Sequence, residues 1–137
     1  MSTQTFIKKI VIPFQDVDAA GVVFFSHLFR YAHETYEDFM KTIGHPLNNY
    51  LGNNYFILPL KHAEADYEIP IMYGDELEMT LIVKEQGNSS FTIFYKCINR
   101  SGKLCAVIKT VHVAVSTESN KPVSIPDDLR KVLSDYS

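Results

Sequence analysis

The chain has 137 residues, which fits one domain over 1–137, and its 46% hydrophobic and 21% charged residues are typical of a soluble globular protein. Its net charge is -3, whereas nucleic-acid-binding proteins typically carry an excess of basic residues. No run approaches the roughly 20 apolar residues of a membrane span, and the N-terminus lacks a signal-peptide pattern. We therefore expect a cytoplasmic protein without a membrane partner.

A strand and a long helix are the first predicted elements. Apolar and β-branched residues over 6–13 predict the strand. The helix is predicted over 26–43, because apolar residues recur there at a period of 3.6 residues. Ser26 is positioned to cap its start, and Gly44 to end it in a left-handed conformation.

The rest of the chain is predicted to be mostly strands, after a polar loop at 45–54. The strand candidates are 56–69, 77–84, 91–97 and 104–115, with turns at 73–75, 87–89 and 99–102. In the last candidate, apolar residues occupy both the odd and the even positions. This pattern predicts a strand covered on both faces and hints at contact with another subunit. A short helix is predicted to open at 125–128, where proline and acids occupy the first turn. This order predicts an α+β fold, an antiparallel sheet with its long helix on one face.

The segment 16–23, Asp-Val-Asp-Ala-Ala-Gly-Val-Val, carries most of the functional information. It would place a carboxylate beside the free backbone N–H groups of a helix start, a pairing that suits hydrolysis of a carbonyl compound. Gly21 would let the backbone adopt a positive φ or approach a substrate closely. Asp16 and Asp18 could equally be turn-capping residues, and the residues alone leave these two hypotheses open.

Metal binding is not expected from this segment. Asp-x-Asp-x-x-Gly opens a calcium loop, but Ala20 and His27 stand where that loop needs ligands. His33 has no second histidine four residues on, so the zinc pattern also fails. We predict no metal and no cofactor.

Asp-x-Asp-x-x-Gly-Val-Val before a long helix resembles the hotdog-fold acyl-CoA thioesterases of the 4-hydroxybenzoyl-CoA thioesterase group, and segments 69–77, 111–115 and 121–126 resemble the same group. The resemblance implies one long helix wrapped by a curled antiparallel sheet. It implies that Asp18 is catalytic and that the backbone N–H of Phe25 polarises the thioester carbonyl. It also implies an acyl-CoA substrate and a homo-oligomer, a dimer with shared active sites that pairs into a tetramer.

Within the group, the run from Asp18 to Phe25 is most similar to cyanobacterial 1,4-dihydroxy-2-naphthoyl-CoA hydrolases of phylloquinone synthesis, where an aromatic pair follows Val-Val. Thioesterases associated with the Tol–Pal system have a histidine at the place of Phe25, which this chain lacks. The resemblance therefore implies hydrolysis of an aromatic acyl-CoA. The alternatives are 4-hydroxybenzoyl-CoA or short aliphatic acyl-CoAs as substrates, a non-catalytic module that binds acyl-CoA or acyl carrier protein, and a dehydratase using His33.

Candidate binding residues complete the sequence-based site. Substrate contacts are predicted for Gly21, Phe24, Leu58 and Pro59, the last two reaching in from a partner subunit; the alternative is that they belong to the core. Arg100 and Lys103 are predicted to hold the coenzyme A phosphates, with ordinary solvated charges as the alternative. Glu34 is a second candidate for the catalytic carboxylate, although a solvated helix face explains it as well.

Overall fold

A five-stranded antiparallel sheet and a long helix form the architecture in a computed structural model, which describes residues 4–52 and 55–137. The strands are β1 (Phe6–Val11), β2 (Phe56–Ile57), β3 (Leu60–Tyr67), β4 (Glu76–Gln86), β5 (Ser90–Asn99), β6 (Leu104–Val113) and β7 (Val115–Ser116). The helices are α1 (His27–Thr42) and α2 (Asp127–Ser134). The sheet order is β1-β4-β5-β6-β3, and β2 pairs with β7 in a separate small ribbon. The predicted α+β hotdog fold, with one helix against a curled antiparallel sheet, is confirmed.

Helix α1 packs its apolar side against the sheet, as its 3.6-residue period predicts. Its buried residues are Leu28, Tyr31, Ala32, Thr35, Tyr36, Phe39 and Met40. Gly44 ends the helix with φ 87°, and the N–H of His45 donates to the carbonyl of Met40 at 2.8 Å, which is the expected left-handed termination. Ser26 occupies the predicted N-cap position, but its side chain makes no capping hydrogen bond.

The predicted strand over 56–69 is wrong as one element. The chain forms β2 and β3 with Leu58 and Pro59 between them, because proline has no N–H to continue a ladder of hydrogen bonds. The loop predicted at 45–54 contains a short 3-10 helix, Leu47–Tyr50, and its residues Asn53 and Asn54 lie outside the described residues.

The prediction that the last long strand is covered on both faces is also wrong within one chain. Strand β6 lies inside the sheet between β5 and β3, and only alternate residues along most of it are fully buried. The edge strands of the sheet are β1 and β3, and the residues of β3 are all exposed except Ala65. Strand β3 therefore offers one unpaired row of backbone N–H and C=O groups.

Helix α2 covers one end of the sheet, where Leu129 and Leu133 are fully buried. Asp127 and Asp128 lie in its first turn, as predicted. Their negative charges interact favourably there with the positive end of the helix dipole. The side chain of Arg130 donates to the carbonyls of Gly87 and Asn88, which fixes the β4–β5 turn against the helix.

Candidate active site

The motif loop, residues 16–23, folds as a tight turn held against the segment before β4. The N–H of Asp18 donates to the carbonyl of Val22 at 2.8 Å, and Gly21, with φ 79°, donates back to the carbonyl of Asp18 at 2.9 Å. The N–H of Val23 donates to the carbonyl of Ile71, and that of Tyr73 to the carbonyl of Gly21. The predicted positive φ at Gly21 is confirmed, and it is a conformation that a side chain would disfavour.

Asp18 is exposed at the tip of this turn. One carboxylate oxygen, Oδ1, accepts hydrogen bonds from the N–H groups of Ala20 at 2.9 Å and Val22 at 3.1 Å. Asp18 is therefore a turn-capping residue, as one of the two sequence-based hypotheses expects. The other oxygen, Oδ2, accepts no hydrogen bond from the described residues, so capping leaves one oxygen available for chemistry.

Asp16 has a different environment, because its side chain is buried under α1 with 3% exposure. Its Oδ2 accepts hydrogen bonds from the Tyr31 hydroxyl at 2.5 Å and from the guanidinium of Arg30, and His27 Nε2 lies 3.9 Å from Oδ1. Burial favours a raised pKa, but the hydrogen bonds from Tyr31 and Arg30 and the charge of Arg30 outweigh it and hold the pKa of Asp16 below its usual value. Asp16 is thus an ionised anchor that ties the motif loop to the helix.

Where the loop meets α1, two backbone N–H groups have no acceptor among residues 4–52 and 55–137. The N–H of Phe24 donates to the carbonyl of Asp16 at 3.0 Å, and the N–H of His27 donates to the carbonyl of Phe24 at 3.0 Å. Between them, the N–H groups of Phe25 and Ser26 have no acceptor in the part of the chain that the structure describes. Unpaired N–H groups at a helix start are oriented toward an incoming anion or a polarised carbonyl oxygen.

An apolar cavity of about 450 Å³ lies beside these N–H groups. It is lined by the end of β3 and the residues after it, and by Val22, Val23, Phe25 and Leu28. Tyr67, also in the lining, donates its hydroxyl hydrogen to the carbonyl of Phe25 at 2.7 Å and so ties β3 to the helix start. Phe25 is exposed at 60%, and its ring lies 5.0 Å from that of Phe24, so both aromatic rings remain accessible in one chain.

The predicted substrate contacts are not brought together in one chain. Gly21 and Phe24 belong to the motif loop and helix start, whereas Leu58 and Pro59 line a separate cavity of about 370 Å³ under the middle of α1. The two cavities have no lining residue in common. The substrate roles of these residues stay predictions.

The predicted coenzyme A contacts lie at the β5–β6 turn. Arg100 is 84% exposed and pairs with Glu76, its Nη1 lying 2.5 Å from Oε2. Asp75 and Glu76 line the same shallow surface cavity as Arg100, so a phosphate there would meet acidic neighbours. Lys103 is exposed on the same turn. Binding of phosphates by Arg100 and Lys103 therefore stays a prediction, and it requires displacement of Glu76.

Several other side chains are positioned for a role that the sequence did not indicate. Arg30 and Tyr31 hold Asp16, and Tyr67 holds the Phe25 carbonyl, yet none of them belongs to a recognisable local motif. Glu34, the second candidate for the catalytic carboxylate, accepts a hydrogen bond from Arg30 at 3.0 Å on the partly exposed side of α1. Residues 4–52 and 55–137 contain no cluster of three or more His, Cys, Asp or Glu side chains that could hold a metal ion. Neither do they contain a helix long and apolar enough to cross a membrane.

The fold and the motif loop at the helix start define a thioesterase of the hotdog class. The family model described as thioesterase-like superfamily matches residues 12–133, so the chain belongs to this superfamily.

The chain is also similar to individual members of this class. The chain is 34% identical to a 1,4-dihydroxy-2-naphthoyl-CoA hydrolase from Thermosynechococcus vestitus, over 86% of this chain and 81% of that protein. It is 31% identical to the protein of the same name from Trichodesmium erythraeum, over 94% and 95% of the two chains. Among solved structures, a 1,4-dihydroxy-2-naphthoyl-CoA thioesterase from Synechocystis matches with a TM-score of 0.90 and 28% identity, covering 96% of this chain and 97% of that one.

Proposed function

We propose that this protein hydrolyses the thioester of an aromatic acyl-CoA, with 1,4-dihydroxy-2-naphthoyl-CoA as the favoured substrate. The observation that carries the proposal is the pairing of an exposed carboxylate, Asp18, with the unpaired N–H groups of Phe25 and Ser26. Thioester hydrolysis needs these two elements, a group that attacks or activates water and donors for the oxygen that becomes negative.

In the proposed reaction the thioester oxygen accepts a hydrogen bond from the Phe25 N–H, with the Ser26 N–H as a second available donor. Either Asp18 Oδ2 attacks the carbonyl carbon, or it removes a proton from a water molecule that attacks. The coenzyme A thiolate then leaves as the tetrahedral intermediate collapses. In the first route a water molecule then hydrolyses the resulting mixed anhydride and regenerates the Asp18 carboxylate, and both routes give the free acid and coenzyme A.

The preference for an aromatic acyl group is supported by the surroundings of the motif. Phe24 and Phe25 present exposed rings beside an apolar cavity, and apolar walls with few polar groups suit a planar ring. The similarity of the whole chain to 1,4-dihydroxy-2-naphthoyl-CoA hydrolases supports the bicyclic substrate, and it would place the reaction in the synthesis of phylloquinone or menaquinone.

The proposal includes a homodimer in which the β3 strands of two copies pair edge to edge, and a tetramer of two such dimers. Strand β3 is long, exposed and unpaired on one side, which is a ready site for strand addition. A second copy would also bring the Leu58 and Pro59 region of one chain toward the helix start of the other. Light scattering on the purified protein tests this part, and a monomer at micromolar concentration would contradict it.

The experiment that tests the function is a hydrolysis assay with matched acyl-CoAs. Thiol release is measured with 1,4-dihydroxy-2-naphthoyl-CoA, 4-hydroxybenzoyl-CoA, benzoyl-CoA and short aliphatic acyl-CoAs. We expect the highest kcat/KM for the bicyclic substrate and loss of activity in Asp18→Asn. Faster turnover of the aliphatic substrates would remove the aromatic specificity, and full activity of Asp18→Asn would remove the mechanism.

A non-catalytic acyl-CoA-binding module is the second candidate, because Asp18 already caps a turn and so has a structural role. This candidate predicts binding of acyl-CoA without thiol release. Calorimetric titration beside the hydrolysis assay separates the two functions on one sample.

A further inference from the structure

Two unpaired polar atoms are buried beneath the middle of α1, away from the motif loop. They are Nδ1 of His112 on β6 and the hydroxyl oxygen of Tyr36 on α1, and neither has a hydrogen-bond partner within residues 4–52 and 55–137. His112 and Tyr36 are 3% and 2% exposed. Leaving a buried polar atom unpaired is costly, so two such atoms on stacked rings call for an explanation.

The other ring nitrogen of His112 is already paired. The Thr110 hydroxyl oxygen lies 3.2 Å from the Tyr95 hydroxyl and 3.1 Å from His112 Nε2. Because each hydroxyl can donate or accept, Nε2 pairs with Thr110 in either tautomer of the neutral imidazole. Nδ1 accepts a hydrogen bond in one tautomer and donates one in the other, and in both it has no partner among residues 4–52 and 55–137.

The imidazole is also held in place and kept neutral by its surroundings. Its ring is stacked between Tyr36 and Phe91, with ring centroids 4.2 Å and 5.2 Å away and planes within 17°. Burial, together with the charge of His33, lowers the pKa of His112 to about 4. At neutral pH the protein therefore holds a neutral imidazole rigidly in an otherwise apolar region, with no partner for Nδ1 among residues 4–52 and 55–137.

Two cavities meet at this histidine. One, of about 340 Å³, is lined by Phe29, His33, Leu60, Tyr95, Thr110 and His112, and the other is the cavity of about 370 Å³ that contains Leu58 and Pro59. His33, Leu60 and His112 line both. Phe29, one helical turn beyond Phe25, lines the first cavity, and Tyr36, further along α1, lines the second.

We propose that His112 Nδ1 and the Tyr36 hydroxyl form the specificity site for a hydroxyl group on the acyl ring. The ring of the acyl group enters these cavities under α1, and its hydroxyl group donates to one of the two atoms and accepts from the other, according to which imidazole nitrogen carries the proton. This proposal rests on the proposed function, since it assumes that the acyl group is aromatic. It adds that the site selects hydroxylated rings over unsubstituted rings of the same size.

The chemical basis of the selection is the difference between paired and unpaired polar atoms. A ring without the hydroxyl fills the same apolar space but leaves both polar atoms unpaired, whereas a hydroxylated ring pairs both. Sites built to hydrogen-bond a substrate hydroxyl discriminate strongly against analogues that lack it. The cost of leaving a buried polar atom unpaired corresponds to about tenfold to a hundredfold in kcat/KM.

The test compares 1-hydroxy-2-naphthoyl-CoA with 2-naphthoyl-CoA, which differ by one hydroxyl, in the full-length protein. Tyr36→Phe is the principal variant, because it removes a hydroxyl that makes no hydrogen bond in the free protein and so leaves the folded structure intact. His112→Phe keeps the aromatic stack but removes Nδ1. Tyr136→Phe is the matched control, since Tyr136 packs on Phe39 at the end of α2, away from the cavity.

We expect the wild-type protein to prefer the hydroxylated substrate about tenfold to a hundredfold, and Tyr36→Phe and His112→Phe to lose most of that preference. The loss should fall on the hydroxylated substrate, with the unsubstituted one changing less than threefold, and Tyr136→Phe should keep the wild-type ratio. No wild-type preference, or equal losses on both substrates, would overturn the proposal. Where His112→Phe does not fold, Tyr36→Phe decides alone.

A binding measurement gives a second readout, which would not change if His112 had only a structural role. The 15N resonance of His112 Nδ1 is followed while 1-hydroxy-2-naphthoic acid or 2-naphthoic acid is added to the wild-type protein. A shift with the hydroxylated acid alone supports the hydrogen bond, and equal shifts or none overturn it. A protein that hydrolyses no aromatic acyl-CoA would instead contradict the proposed function, so the two failures are distinguishable.

Discussion

The buried carboxylate of Asp16 accepts a hydrogen bond from the Tyr31 hydroxyl at 2.5 Å, and this contact fixes the motif loop to α1. Asp18, two residues along, extends into solvent and caps a turn. The two carboxylates therefore have different roles in one short segment. Asp16 is enclosed by hydrogen-bond donors from α1, whereas only one carboxylate oxygen of Asp18 accepts hydrogen bonds from the described residues. The two residues should respond differently to the same substitution.

Asp16→Asn should destabilise the fold by about 1.5–3 kcal/mol, the range for hydrogen bonds to a charged group. The amide is uncharged and cannot accept equally well from Tyr31 and Arg30. Chemical denaturation followed by circular dichroism measures this change. Activity should fall as well, since the loop that carries Asp18 loses its anchor.

Asp18→Asn should change the free energy of unfolding by less than about 0.5 kcal/mol, as for most exposed positions. The amide oxygen can still accept from Ala20 and Val22, so the turn persists. The value of kcat should nevertheless fall by about 10²–10⁴, the contribution of a general base or nucleophile. If both aspartate variants lost stability and activity in parallel, the assignment of separate roles would be wrong.

Gly21→Ala should destabilise the protein by about 1–2 kcal/mol, since a residue with a β-carbon is disfavoured at φ 79°. A β-carbon would stand 3.7 Å from Met72 Cε, an ordinary contact, so the cost is conformational and not a clash. The turn that presents Asp18 should relax and reduce kcat. Gly52→Ala is a useful control, because Gly52 also has a positive φ, 67°, but lies in the loop after α1.

Acid should destabilise the fold through His112. Its pKa in the folded protein is lowered to about 4 by burial and by His33, whereas the unfolded chain has the ordinary value near 6.5. Between these values the unfolded state binds more protons, so stability is full above pH 6.5 and falls as the pH drops toward 4. The loss from this residue is about 3 kcal/mol.

Urea denaturation at several pH values between 4.5 and 7.5 measures this dependence. In His112→Gln the slope over that range should flatten, because the titrating group is gone. An unchanged slope would show that other groups dominate the acid response.

The sequence predicted the elements whose signals are local. Helix α1 was predicted within one residue at each end, because its apolar period and its terminal glycine both lie within the segment. The division between β2 and β3 was missed although Pro59 is visible, since the apolar run on both sides of it resembled one strand. Asn99 and Gly102 likewise marked the β5–β6 turn correctly.

The contacts that complete the site come from residues far apart in sequence. Tyr67 reaches the Phe25 carbonyl across 42 positions, and the His112 cluster depends on the register of β5 against β6, in which Tyr95 pairs with Ile108. No local pattern encodes these contacts, because they follow from how the sheet curls around the helix. The sequence could therefore indicate Asp18, but not the side chains that position it.

Tyr67→Phe should separate positioning from stability at the helix start. Tyr67 is about half exposed, so loss of its hydrogen bond to the Phe25 carbonyl should cost about 0.5–1.5 kcal/mol or less. The Phe25 N–H, however, should become less well ordered as an oxyanion donor, and we expect kcat to fall about tenfold with little change in KM. Tyr136→Phe again serves as the control, with an expected kcat within twofold of wild type. A rise in KM at constant kcat would instead assign Tyr67 to substrate binding, because only a transition-state interaction lowers kcat alone.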